Sequence, residues 1–469
     1  MAFGKKLSRR DFLSQTGSAA LGILSFPSLF AGKASFPYLQ DESEVGYGPL
    51  VKDSDKIMDL PEGFSYKIIS RSSEKMTDGF YRPGHPDGMG TFEGPDGLTI
   101  ILCNHENFPE YRPEFGPFGP NNQLFRRLSR RLIYDRGREG GPALGAVTTL
   151  VYDTKAQELQ GQFLSLAGTL VNCSGGVTPW NSWLSCEEIF QNPTFNLVKK
   201  HGYVFEIPAS LEQKIVKPVP LKAMGRFVHE SIAVDPQTNI IYLTEDQLDG
   251  LVYRFLPSRP GHLEEGGRLQ CLAINSIPQF DTRNWEKQRV KRGEKLLVRW
   301  IDLEDVDPKK DDLRIRGHEK EGSLFASGEG MEYLDGTVYF SCTNGGRIKA
   351  GQIWGYVPSS YEGSEGEIDS PGHLELLLEV TDRSVLENPD QMIGTKWGDV
   401  FVCEDGFDEQ YLVGLTPQGK IYRFAHNAQD ESEFTGVCFS PDGSTMFVNY
   451  QVAGYTFAVT GPWKSKNRG

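Results

Sequence analysis

Six hydrophobic segments of this chain run into a polar, mostly acidic end, and five of them have a second polar residue fifteen positions upstream. The ends are Cys103-Asn104-His105-Glu106, Cys186-Glu187-Glu188, Thr244-Glu245-Asp246, Cys342-Thr343-Asn344, Cys403-Glu404-Asp405 and Val448-Asn449-Tyr450. The upstream partners are Cys173, Glu230, Glu329, Asp390 and Thr435, with turn-forming residues such as Asp335-Gly336 near the middle of each interval. A hairpin turned at its middle returns its last residue beside its first, so both members of each pair belong on one rim. Radial repetition of that unit predicts an all-β fold: a six-bladed β-propeller with inserted loops between blades, its polar rim crowding a central channel.

The repeats span most of the length, so residues 35–469 are expected to form a single propeller domain. Gly202 to Ile207, Gly250 to Phe255, Gly351 to Tyr356 and Gly419 to Phe424 alternate aromatic and polar residues, as the third strand of a blade does. Three insertions interrupt the pattern, Pro109 to Gly145, Arg259 to Gly328 and Tyr361 to Gly372, and they are expected as loops that wall a site. Helical periodicity is weak, with one short helix expected over Thr282 to Arg292.

A net charge of −14 argues against nucleic acid as a partner. No mature stretch is long enough to span a bilayer. Residues 1–34 contain Arg9-Arg10 before a modest apolar run and small residues, the pattern of a twin-arginine export signal. It implies passage through the twin-arginine machinery to the periplasm or beyond. Exported proteins with seven cysteines usually form disulfides. Here Cys103, Cys186, Cys342 and Cys403 recur just before strand ends, as small residues packed between blades do, so few or no disulfides are expected.

Crowded carboxylates repel one another, and cations relieve that repulsion. Asn104, Glu106, Glu187, Glu188, Glu230, Glu245, Asp246, Asp249, Glu329, Glu332, Asn344, Asp390, Glu404 and Asp405 offer the oxygen donors that hard ions such as Ca2+ prefer. Cys173 takes the slot that Glu230, Glu329 and Asp390 fill elsewhere. Its thiolate is a reason to expect a transition metal, and Fe3+ suits a mixed thiolate and carboxylate set; the alternative is a buried free thiol. No Gly-rich phosphate loop, nucleophile elbow or paired zinc spacing is present.

Longer strings sharpen this reading. Asn172-Cys173-Ser174-Gly175-Gly176-Val177-Thr178-Pro179-Trp180, Gly225-Arg226-Phe227-Val228-His229-Glu230, Cys342-Thr343-Asn344-Gly345-Gly346, Glu387-Asn388-Pro389-Asp390 and Cys403-Glu404-Asp405-Gly406 together resemble the PhoX family of bacterial alkaline phosphatases. The resemblance implies an exported propeller phosphomonoesterase that uses iron and calcium. It implies Cys173, Glu188, Glu230 and Glu329 as ligands of the iron and bridging shell, with Asn104, Glu106, Asp249, Glu404 and Asp405 serving iron or calcium. One position departs from the family pattern: Ser327 stands where an arginine precedes the Glu-Gly pair. Weaker phosphate binding, another substrate, or compensation by Arg226 or Arg347 follow as alternatives.

The expectation is metal-assisted hydrolysis of a small-molecule phosphate ester, with Glu329 and Arg226 catalytic and Arg226, Ser327 and Arg347 toward the phosphate. Two rivals are a calcium-dependent propeller esterase or lactonase and a non-catalytic metal-binding exported propeller.

Overall fold

The computed structural model describes residues 45–407 and 409–464, so the twin-arginine segment lies outside the described residues. No described helix is long and apolar enough to cross a membrane.

Local geometry starts with the hairpins. In the one opening at Gly328, Leu334 pairs with Thr337 across Asp335 and Gly336, whose φ values are +47° and +83°. Two left-handed residues make the tight turn whose twist matches antiparallel strands, which is why Asp-Gly stands there. Beyond the turn Val338, Phe340 and Cys342 enter one hydrophobic core while Tyr339 enters another. The period of two thus serves two interfaces at once, and both faces of the sheet are buried.

The same design recurs round the molecule. The described strands form five hydrogen-bonded sheets in an all-β, propeller-like arrangement, one of them of nine strands. That large sheet contains two antiparallel meanders, His229–Val234 to Gly267–Ile274 and Gly328–Leu334 to His373–Glu379, joined edge to edge through Lys295–Asp302. The insertion from Arg259 to Gly328 is therefore not a loop alone, since it supplies two strands and the helix Leu313–Glu319. The helix expected over Thr282 to Arg292 does not form; Asn284 caps that stretch instead, its side chain accepting from the Arg289 and Val290 amides. Gly419 to Phe424 also departs from the place expected for it. Tyr411–Leu415 precedes it in the sheet, so Ile421–Asn427 is a fourth strand, not a third.

Inner strands Pro86–Glu93, Asn172–Val177, His229–Val234, Gly328–Leu334, Pro389–Gly394 and Phe434–Phe439 lie side by side in that order, and the last returns to the first. Apolar clusters fill each gap between neighbouring sheets and meanders; Ile101, Leu150 and Tyr152, for example, meet Phe447 and Ala458. Closure comes from pairing the first part of the chain with the last, Ser65–Arg71 against Tyr455–Thr460. All seven cysteines are buried and free.

Every inner strand is interrupted at the same level. The ladder slips between Pro86 and Met89, Asn172 and Gly175, His229 and Ile232, Gly328 and Met331, Pro389 and Met392, and Thr435 and Cys438. A β-bulge leaves its extra residue unpaired and re-aims its side chain. Five of the six bulges begin with Asp87, Cys173, Glu230, Glu329 or Asp390.

Candidate metal centre

The bulges place these five residues around one axis, joined there by residues that follow the second strands. Asp87, Glu106 and Cys173 offer ligand atoms that all lie within 4.8 Å of one another; so do Cys173, Glu188 and Glu230, and so do Glu230, Glu329 and Asp390. Cys173 and Glu230 are each shared by two groups, which makes the set continuous.

Bulging strips carbonyls of their ladder partners, and the neighbouring hairpin replaces them. Asn104 Nδ2 donates to the Cys173 and Ser174 carbonyls at 3.0 and 2.7 Å, Thr244 Oγ1 to Glu329 O at 2.6 Å, Ser341 Oγ to Asp390 O at 2.7 Å, and Asn449 Nδ2 to Asp87 O at 2.8 Å. The Asp87 carboxylate also accepts from Gln391 Nε2, and the Gln391 carbonyl accepts from the Gly436 amide, so one side chain braces the ring from inside. Gly436 has a φ of +64°, and a Cβ there would stand 2.3 Å from Asp87 O, so only glycine lets these strands approach.

Electrostatically the set is unstable on its own. Burial, followed by mutual repulsion, holds the carboxyl groups of Glu106, Glu188, Glu230, Glu329, Asp390 and Glu433 well above the usual range. Burial and the surrounding carboxylates push the Cys173 thiol up as well. Both Glu230 oxygens and Asp390 Oδ1 are buried without a hydrogen-bond partner among the described residues. Buried carboxylates left without donors fit a site that binds cations and would be costly without them. The donor chemistry divides along the axis: two groups contain Cys173, and the third is all carboxylate.

Several expected site residues fall elsewhere. Asn104 spends its amide on the bulge carbonyls, and its Oδ1 accepts from Trp183 Nε1 at 2.9 Å, so it positions the Cys173 strand instead of offering a ligand oxygen. Glu404 points away from the axis: Glu187, Glu245 and Glu404 all accept backbone amides at strand ends, and the following residues, Glu188, Asp246 and Asp405, belong to the electrostatic cluster. Asp249 pairs with Arg314 Nε at 2.8 Å and is half-exposed. The Arg226 guanidinium is buried and donates to the carbonyls of His201, Pro308 and Gln191, which corrects its expected role as a phosphate contact. Ser327 is buried at a φ of +50°, and its Oγ accepts from Asn344 Nδ2 at 3.1 Å. Arg347 is exposed on the loop that follows. Glu332 lies three residues beyond Glu329 and lines a cavity of about 310 Å3 together with Ser231, Gln391 and Trp397.

Two members of the cluster escaped the spacing. Asp87 lies farther than fifteen positions from Glu106 because Gly94 to Gly97 lengthen its turn, and Glu433 precedes its strand instead of sitting in the bulge. Asp87-Gly88-Met89, which repeats the pattern of Glu329-Gly330-Met331, was the available signal, since both glycines mark close strand approach.

The family model for alkaline phosphatase PhoX matches residues 45–123 and 121–454. Pseudomonas fluorescens PhoX, solved in complex with vanadate, a transition state analogue, has a similar fold, with a TM-score of 0.62 and 18% identity over 87% of this chain and 96% of that one. A gluconolactonase from Xanthomonas campestris aligns at a TM-score of 0.40 and 10% identity over 89% of this chain and 99% of that one. No curated protein matches the sequence. With the match extending over most of its length, the chain belongs to the alkaline phosphatase PhoX family.

Proposed function

We propose that this protein is an exported phosphomonoesterase whose reaction takes place at cations held by the axial set. The observation that carries this is the continuous set of Asp87, Glu106, Cys173, Glu188, Glu230, Glu329 and Asp390, in which both Glu230 oxygens and Asp390 Oδ1 are buried with no donor among the described residues. The two groups that include Cys173 suit Fe3+, and Glu230, Glu329 and Asp390 suit Ca2+. Asp405 and Asp246 add negative charge at the same rim.

Cations bound there supply the positive charge that binds a phosphoryl group and offsets the charge gathering in its transition state. The chain's own contribution is placement. The bulges aim ligands that come from distant segments, the interblade donors to the bulge carbonyls lock them, and Gln391 closes the axis behind them. Ser327, two residues before Glu329, is held by Asn344 Nδ2, and Arg347 lies exposed on the loop after Asn344.

The closed run of six inner strands supports counting six blades, with the two meanders of the nine-stranded sheet as separate blades. Arg9-Arg10 supports delivery by the twin-arginine route to the periplasm or outside the cell. Turnover of p-nitrophenyl phosphate by purified protein, lost on chelation and regained with iron and calcium, tests the reading; undiminished turnover after complete metal removal would overturn it.

A further inference from the structure

Four of the six hairpins end toward the axis in a carboxylate, namely Glu106, Glu188, Asp246 and Asp405; the hairpin opening at Gly328 ends in Thr343 and Asn344. Basic side chains gather on that arc, where the hairpin ends without a carboxylate. The indole of Trp285 donates to Asn344 O at 2.7 Å and is flanked by Arg283 at 4.3 Å and Lys349 at 4.5 Å from its ring centre. Arg383 donates to the carbonyls of Ile348 and Lys349 and lies 5.9 Å from the ring of Phe407, which follows Asp405.

Charge on the arc is unbalanced. Asp281 pairs with Arg283, and Glu387 pairs with Arg383, whereas Arg347 and Lys349 are exposed and make no ion pair among the described residues. Phe407 is 80% exposed and Ile348 40%; Ile348 stands between Arg347 and Lys349 in the chain, and Phe407 lies against Arg383. On a chain of net charge −14, a dianionic ester is repelled from most directions. An entry with local positive charge offsets that repulsion.

We infer that this arc is the substrate entry and leaving-group subsite, selecting phosphate esters whose alcohol is apolar or aromatic and bears a further negative charge. Arg347 and Lys349 meet the added charge, and Ile348 and Phe407 cover the apolar body. The inference rests on the phosphatase reading and names the substrate class for it.

Steady-state kinetics of the metal-loaded full chain test it with p-carboxyphenyl phosphate, p-nitrophenyl phosphate and glycerol 3-phosphate. The carboxylated aryl ester has the highest kcat/KM, and raising ionic strength from about 0.02 to about 0.3 M lowers it about tenfold. Lys349→Glu combined with Arg347→Glu abolishes that preference and reverses the salt dependence, while metal content stays unchanged. Phe407→Ser lowers kcat/KM for both aryl esters about threefold and leaves the glycerol ester unaffected. Equal kcat/KM for the three esters, or an unaltered salt response in the double variant, overturns the inference alone. No turnover of any ester by the unsubstituted, metal-loaded protein overturns the phosphatase reading itself.

Discussion

Gln451 Nε2 donates to Asp87 Oδ2 at 2.7 Å and to Glu106 Oε2 at 2.6 Å, joining the last hairpin to the two carboxylates of the first. One amide therefore holds apart two like charges that share a cation group with Cys173. Gln451→Ala is expected to weaken metal retention about 10–100-fold, the usual effect of losing an outer partner of a ligand. Metal release into a chelator, followed by elemental analysis, reads this directly, and unchanged release would remove Gln451 from the centre's support.

Cys173 belongs to two of the three ligand groups, so its loss should reach farther. Cys173→Ala is expected to lower phosphatase activity at least ~100-fold, above the loss typical for an outer partner. Its buried position makes folding a necessary control, and circular dichroism of the variant supplies it.

Ring closure depends on Gly436. A methyl group there meets Asp87 O at 2.3 Å on a backbone with φ of +64°, so Gly436→Ala combines overpacking with left-handed strain. A loss of about 3 kcal/mol is expected in denaturant unfolding. Wild-type stability in this variant would mean that the inner strands are not held as closely as described.

Far from the axis, His201 bridges Glu187 Oε1 at 2.7 Å and Asp135 Oδ2 at 3.3 Å, with Tyr134 packed edge-on against its ring. Burial works to lower its pKa, but the two carboxylates outweigh it and raise the value from 6.5 to about 9. The stabilisation from a raised histidine is complete below pH 6.5 and disappears as pH rises through about 9. Thermal stability of the protein should therefore decline across that window, and His201→Gln should flatten the decline. An identical decline in the variant would assign it to other groups.

Much of this was legible because strand periodicity and turn chemistry are local. The spacing found Cys173 with Glu188, and it found Glu230, Glu329 and Asp390, because each of those hairpins has a short turn. It missed Asp87 behind a longer turn. What the sequence hid was which polar side chain the backbone would consume. Asn104 and Glu404 carry the same oxygen donors as the residues of the axial set, yet bulge carbonyls occupy one and a strand-end amide the other. Arg226 was hidden in the same way, since its three carbonyl partners come from loops that only the fold brings together.

The most direct test of the centre is the linkage between metal and pH. Because burial and mutual repulsion raise the folded-state pKa of Glu106, Glu188, Glu230 and Glu329, the metal-free protein binds more protons folded than unfolded. Its stability should thus fall as pH rises from about 5 to about 8, and bound cations should remove that fall. Denaturant unfolding at both pH values, with and without chelator, and with iron and calcium measured in each sample, reads both parts. The account predicts a chelation loss that is larger at pH 8 than at pH 5, together with loss of phosphatase turnover; equal stability with and without chelator at both pH values, in protein that still hydrolyses p-nitrophenyl phosphate, would contradict it.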